Sequence, residues 1–160
     1  KENLPYKGFI FIGLIMVEND PYVIEYNVRM GDPETQVVLP RIKSDFLELM
    51  VRTANQTLNN FDLQINKDTY ANIVMVAGGY PESYEKGNPI NGIPKDNETS
   101  KIFHAGTKEI DNKLFTNGGR VLSVVSKGSD FKQALSKSYE IARKIDFKDK
   151  NYRKDIGFDL

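Results

Sequence analysis

The sequence has no cysteine, no tryptophan and one histidine, His104, among 160 residues. Without thiols there is no disulfide scaffold, no cysteine-ligated zinc or iron–sulfur centre and no thiolate nucleophile. A single imidazole leaves no histidine cluster for a metal. An excess of one charge is missing as well: 22 Lys+Arg face 22 Asp+Glu, which argues against a nucleic-acid binder relying on a broad cationic field. The longest apolar run, residues 9–17, is nine residues and contains Gly13. A membrane-spanning helix needs roughly 20. No signal peptide, repeat or low-complexity tract is visible, and the cytoplasm is the expected compartment. The chain opens at Lys1 already close to a strand, and so reads as a piece of something longer.

What is present suffices for a core, because 39% of the residues are hydrophobic and the sequence lacks the polar bias of disorder. Residues 9–17 predict a buried strand. Asn19-Asp20-Pro21 predicts a turn and residues 22–29 a second strand, together a hairpin. Asp32 with Pro33 predicts the start of a short helix ending before Pro40. Ser44-Asp45 with Glu48 predicts a longer helix with Leu47, Met50, Ala54 and Leu58 on one face. From Ala71 onward the pattern changes to short apolar strands at residues 73–77, 101–105 and 120–125. Residues 78–100, with three Pro, three Asn and four Gly, form a long surface connection. A last helix is capped by Ser129 and carries Phe131, Ala134, Leu135, Ser138, Ala142 and Ile145 at helical spacing. The expected class is α+β: residues 1–62 as a fragment of a mixed domain, and residues 63–160 as a small, mostly antiparallel β domain with one helix.

The stretch with chemistry is Glu25-Tyr-Asn-Val-Arg-Met-Gly-Asp-Pro-Glu-Thr-Gln36. Alternation along a strand puts Glu25, Asn27 and Arg29 on one face at steps of about 6–7 Å, with Tyr22, Ile24, Tyr26 and Val28 on the other. A carboxylate and an amide oxygen are hard donors suited to Mg²⁺, which completes its shell with water and substrate phosphates. Arg29 can grip a phosphate with both arms. The amides near Pro33 to Gln36 would add an anion site at a helix start. Metal, grip and helix terminus together describe a surface for phosphoryl transfer.

These residues resemble the metal-binding strand of the ATP-grasp ligases. The continuation Arg29-Met-Gly-Asp-Pro-Glu-Thr-Gln36 is similar to the phosphoribosylamine–glycine ligases (glycinamide ribonucleotide synthetases) in particular. In the same order come Tyr6-Lys-Gly8, Ala77-Gly-Gly-Tyr-Pro81, Tyr84-Glu-Lys-Gly87, Phe103-His-Ala-Gly-Thr107, Gly118-Gly-Arg-Val-Leu122 and Tyr152-Arg-Lys-Asp-Ile-Gly157. The resemblance implies de novo purine synthesis, in which glycine is joined to 5-phospho-β-D-ribosylamine while ATP becomes ADP and phosphate. Glycine's carboxylate attacks the γ-phosphate and the amine takes the acyl phosphate. It implies Glu25 and Asn27 as ligands of Mg²⁺ or Mn²⁺, Arg29 as the catalytic and ATP-facing group, and Asp32, Glu34 and Thr35 at the edge of the glycine and ribosylamine site. Many ATP-grasp enzymes carry a further acid about a dozen residues upstream; residues 8–17 hold none, and Glu18 is expected at a turn, so two protein ligands are expected. The family's N-terminal domain and nucleotide clamp do not fall in these residues. This stretch is therefore expected to be inactive alone and to need the N-terminal part of the same enzyme. The alternatives are another ATP-grasp carboxylate–amine ligase, or a non-catalytic packing and binding module.

Elsewhere the signals are plainer. His104 reads as a histidine hydrogen-bonded at a strand end, or as a substrate-facing group. Gly78-Gly79 and Gly118-Gly119 lack a phosphate-loop pattern and read as turns needing positive φ. Arg120 could meet a substrate phosphate or end a strand in water. Residues 127–154 hold nine cations against four acids, a solvated face or a field that steers anions. Within them, Tyr152-Arg153-Lys154-Asp155 is a charged tail that could fold back.

Overall fold

The structure, a computed structural model, describes residues 3–158. Mixed helices and antiparallel sheets divide into two compact units, Lys1–Lys67 and Asp68–Leu160.

In the first unit, β1 (Phe11–Val17) and β2 (Asp20–Asn27) form an antiparallel hairpin. Its turn is Glu18–Asn19, with φ of 51° and 83°, the left-handed pair that a tight two-residue turn requires. Pro21, expected in the turn, sits in β2 opposite Met16, which is tolerable because neither strand is central. Gly13 faces Glu25 while Leu14 faces Val23, so Ile24 is an extra residue in the ladder. That bulge resets the alternation; Tyr22 cannot be assigned to a face by counting back from Tyr26. The strand also stops at Asn27, leaving Arg29 in the following bend.

The next helix is shorter than expected. α1 (Thr35–Val38) has Glu34, not Asp32, at its N-cap and no side-chain capping bond. α2 (Phe46–Asn55) starts as expected, with the Asp45 carboxylate accepting from the Glu48 N–H at 2.7 Å. Its buried residue is Leu49, whereas Leu47 is 73% exposed, so the anticipated stripe is one step out of phase. Leu49 lines a cavity together with Ile42, Leu58, Leu63 and Ile65. Lys43 N–H donates to Gln64 at 2.8 Å, Asn66 N–H donates to Arg41 at 2.7 Å, and Ile42 bridges Ile65. The same bonds hold residues 63–66 in this unit, so the division falls after Lys67 and not near residue 62.

The second unit is built on a three-stranded antiparallel sheet ordered β3 (Thr69–Val76), β7 (Arg120–Gly128), β4 (Ser100–His104). Six consecutive residues of β7, Val121 to Ser126, are buried, as a central strand packed on both faces must be. α3 (Phe131–Lys144) packs on β3 and β7. Its cap is Asp130, one residue past the expected Ser129, accepting from Gln133 N–H at 2.8 Å. Ala134, Ser138 and Ala142 are buried, and the Ser138 hydroxyl donates to the Ala71 carbonyl at 3.1 Å. Ile73, Met75, Leu122, Val124, Ile145 and Phe147 make the core.

The sequence reading missed the hairpin of β5 (Thr107–Ile110) and β6 (Lys113–Thr116). Its strands have four residues each, too few for a pattern, and the Asp111-Asn112 turn, with φ of 49° and 59°, marks it. Of the paired glycines only Gly79 has positive φ, 91°. Gly119 is required by packing instead, since a Cβ there would lie 2.1 Å from Tyr80 Cδ2. No helix among the described residues is long and apolar enough to cross a membrane.

Candidate metal and phosphate site

Beyond the bulge, β2 is regular, so Glu25 and Asn27 fall on one face together with their cross-strand partners Gly13 and Phe11. Gly13 is there for room: a Cβ at that position would lie 2.9 Å from Glu25 Cγ. The glycine that interrupts the apolar run thus lets the Glu25 side chain fold over β1. Glu25 is exposed and Asn27 partly buried. The Asn27 amide nitrogen is buried without a partner among the described residues.

The loop after the strand returns toward this face. Phe11, opposite Asn27, brings its ring edge to Gly31, where a Cβ would lie 3.0 Å from Cε2. The Glu34 carboxylate covers the same glycine, Oε2 lying 2.5 Å from that Cβ position. Glu34 is therefore brought toward the Glu25–Asn27 face through Phe11 and Gly31. Thr35 lies there too, but its hydroxyl donates to the Gly31 carbonyl; toward a substrate it can only accept. Asp32 is exposed and joined to Pro33 by a cis peptide.

Arg29 is not the third rung of a straight strand. It lies in the bend, and its Nη1 donates to the Met30 carbonyl at 2.9 Å, leaving the rest of the guanidinium fork without a partner among the described residues. Few amides at the helix start are left for an anion. Pro33 has no N–H, Thr35 N–H donates to Gly31, and those of Val37 and Val38 donate to Glu34.

The donor set fits a hard divalent cation. Among the described residues no three acidic, histidine or cysteine side chains gather to hold a metal, so protein donors would be the Glu25 carboxylate and the Asn27 amide oxygen, with water and phosphate completing the shell. Glu18 is at the far end of the hairpin, seven residues from Glu25 and therefore about 20 Å away.

In the second unit His104 ends β4 exposed, its Nδ1 3.0 Å from Thr107 Oγ1. Several cations of the basic segment are paired, Lys144 with Glu140 at 2.7 Å and Lys150 with Asp146 at 3.6 Å inside it, Lys148 with Glu85 at 2.7 Å and Lys127 with Asp68 at 3.6 Å outside it. The Lys144 hydrogen bond lowers the Glu140 pKa, and the Glu85 hydrogen bond raises that of Lys148. The tail does fold back. Tyr139 donates to the Arg153 carbonyl at 3.0 Å, and both arms of Arg153 reach Asp155 at 3.0 Å, lowering its pKa.

A family model described as "Phosphoribosylglycinamide synthetase, C domain" matches residues 70–159, and one described as "Phosphoribosylglycinamide synthetase, ATP-grasp (A) domain" matches residues 1–35. The chain belongs to the phosphoribosylglycinamide synthetase family. A phosphoribosylamine–glycine ligase of Fusobacterium nucleatum is 46% identical over 159 residues, covering 98% of this chain and 37% of that protein. A bifunctional purine biosynthetic protein of Pichia angusta is 47% identical over 159 residues, covering 98% of this chain and 20% of that protein. The crystal structure of a phosphoribosylamine–glycine ligase from Thermotoga maritima superposes with a TM-score of 0.77 at 38% identity, covering 91% of this chain and 36% of that one. This member of the phosphoribosylglycinamide synthetase family thus spans little more than a third of the length of the ligases it matches.

Proposed function

We propose that this chain is the C-terminal part of an ATP-dependent phosphoribosylamine–glycine ligase of purine synthesis. The ATP-grasp part, expected over residues 1–62, would run on to Lys67, where the first compact unit ends, and the C-terminal β-rich domain would follow it. The observation that carries the reading is the shared face of Glu25 and Asn27, cleared by Gly13 and followed one bend later by the Arg29 fork. Glu25 and Asn27 would hold Mg²⁺ or Mn²⁺, which when bound neutralises and orients the ATP phosphates. Arg29 would face the phosphoryl group passing from ATP to the glycine carboxylate; a planar, permanently charged fork suits that role. Glu34, turned back over Gly31, would meet the ammonium of glycine or the incoming amine. Asp32 and Thr35 would stand at the rim of that substrate site.

The exposed apolar faces of the hairpin would pack against the remainder of the ATP-grasp domain, so turnover would require that part. In the full-length enzyme, ADP formation should depend on both glycine and phosphoribosylamine. Glu25→Ala and Asn27→Ala should each lower it roughly 100-fold, the scale of losing one preorganised charge-stabilising group. Melting temperature should change little, since neither side chain lies in a core. Wild-type turnover in both variants would remove them from the metal.

A further inference from the structure

We propose that Tyr6 is a positioning residue that sets the direction of Arg29; this rests on the reading of Arg29 as the phosphoryl grip. The Tyr6 hydroxyl lies 2.8 Å from the Phe9 carbonyl and 2.8 Å from the Val28 carbonyl, 22 residues away. It has one proton to share between two acceptors. The contact joins the segment before β1 to the bend after β2. The β1–β2 ladder ends at the Phe11–Asn27 pair, so strand pairing no longer holds the backbone of Val28 and Arg29. The Tyr6 hydroxyl takes over at that point.

Two further observations show that the hydroxyl has a reserved place. Gly8 stands beside it with φ of 149°, and a Cβ there would lie 2.6 Å from the Tyr6 oxygen. A glycine is needed for both the backbone angle and the space. Arg29 in turn donates to the carbonyl of its own neighbour, Met30, at 2.9 Å. A guanidinium tethered to its own bend points where the bend points. Tyr6 thus fixes Val28, Val28 leads into the bend, and the bend aims the fork.

A fork misaimed by about 1 Å weakens phosphoryl transfer by up to about 100-fold. Removing only the hydroxyl leaves the ring in place, so Tyr6→Phe in the full-length enzyme should lower kcat about tenfold. The affinity for Mn²⁺ should not change, because β2 and its two donors are untouched. The deciding measurement is a double-mutant cycle of Tyr6→Phe with Arg29→Ala, read as kcat with melting temperature followed for each variant. Arg29→Ala alone should be damaging, and Tyr6→Phe should cost nothing further in the Arg29→Ala background. A Tyr6→Phe enzyme that does not fold makes Gly8→Ala the deciding variant, since it keeps the hydroxyl but displaces it. Two losses that multiply, or wild-type kcat in a folded Tyr6→Phe enzyme (or in Gly8→Ala where that one decides), would overturn the positioning role. Wild-type kcat in Arg29→Ala would overturn the functional reading on which it stands, a result separable from the other two.

Discussion

At the scale of single residues, the site depends on what stands opposite each donor as much as on the donors. Glu25 lies over β1 because position 13 has no side chain. Gly13→Val should therefore push the Glu25 carboxylate away and raise the Mn²⁺ dissociation constant of the full-length enzyme about tenfold or more, measured by titration. An unchanged constant would mean that Glu25 is not a ligand. Arg29→Lys should be nearly as damaging as Arg29→Ala, because a point charge does not replace a planar fork. Steady-state kinetics with ATP varied checks this. In the second unit, Asp155 offers a pH-dependent marker. The Arg153 hydrogen bonds lower its carboxyl pKa in the folded protein, so its small contribution exists above the unfolded pKa and fades as pH falls through the folded one. A carboxyl NMR titration should place Asp155 below ordinary aspartates, and Arg153→Ala should return it to them.

Among elements, the sequence was most legible where local chemistry decides the outcome. The Asp45 cap with its Glu48 partner, and the spacing of Ala134, Ser138 and Ala142, foretold α2 and α3 because capping and helical periodicity act within a few residues. Asp130→Ala should cost roughly 1 kcal/mol, measured by urea denaturation. Legibility failed where a distant partner decides. The bulge at Ile24 depends on β1, Leu49 and not Leu47 lines a cavity shared with Leu63 and Ile65, and the β5–β6 hairpin is too short for an apolar pattern to be seen. The Gly118-Gly119 pair was read as a turn, yet Gly119 answers to Tyr80, 39 positions earlier. In the site, Glu25 and Asn27 could be paired by counting twos, while Arg29 could not, because the strand ends between them.

On the scale of the whole chain, the two units differ in how much of themselves they bury. The second has a core closed by β7 and α3, with six consecutive buried residues in its central strand. In the first, Ile12, Leu14, Ile15, Met16, Tyr22, Val23, Ile24 and Tyr26 are exposed on the two-stranded hairpin, and a cavity of about 350 Å³ opens beside Ile42, Leu49 and Ile65. A lone hairpin is marginal in water. Hydrogen exchange on the 160-residue chain should therefore find β7 amides protected at least about 100-fold more strongly than those of β1 and β2; equal protection would contradict that ordering. The proposed phosphoryl-transfer role stands on the cation. Crystals of the full-length enzyme grown with Mn²⁺ and a non-hydrolysable ATP analogue, read by anomalous scattering, should show the metal bound by a Glu25 carboxylate oxygen and the Asn27 amide oxygen while touching the triphosphate. Manganese bound to the triphosphate with neither side chain in its shell would contradict it.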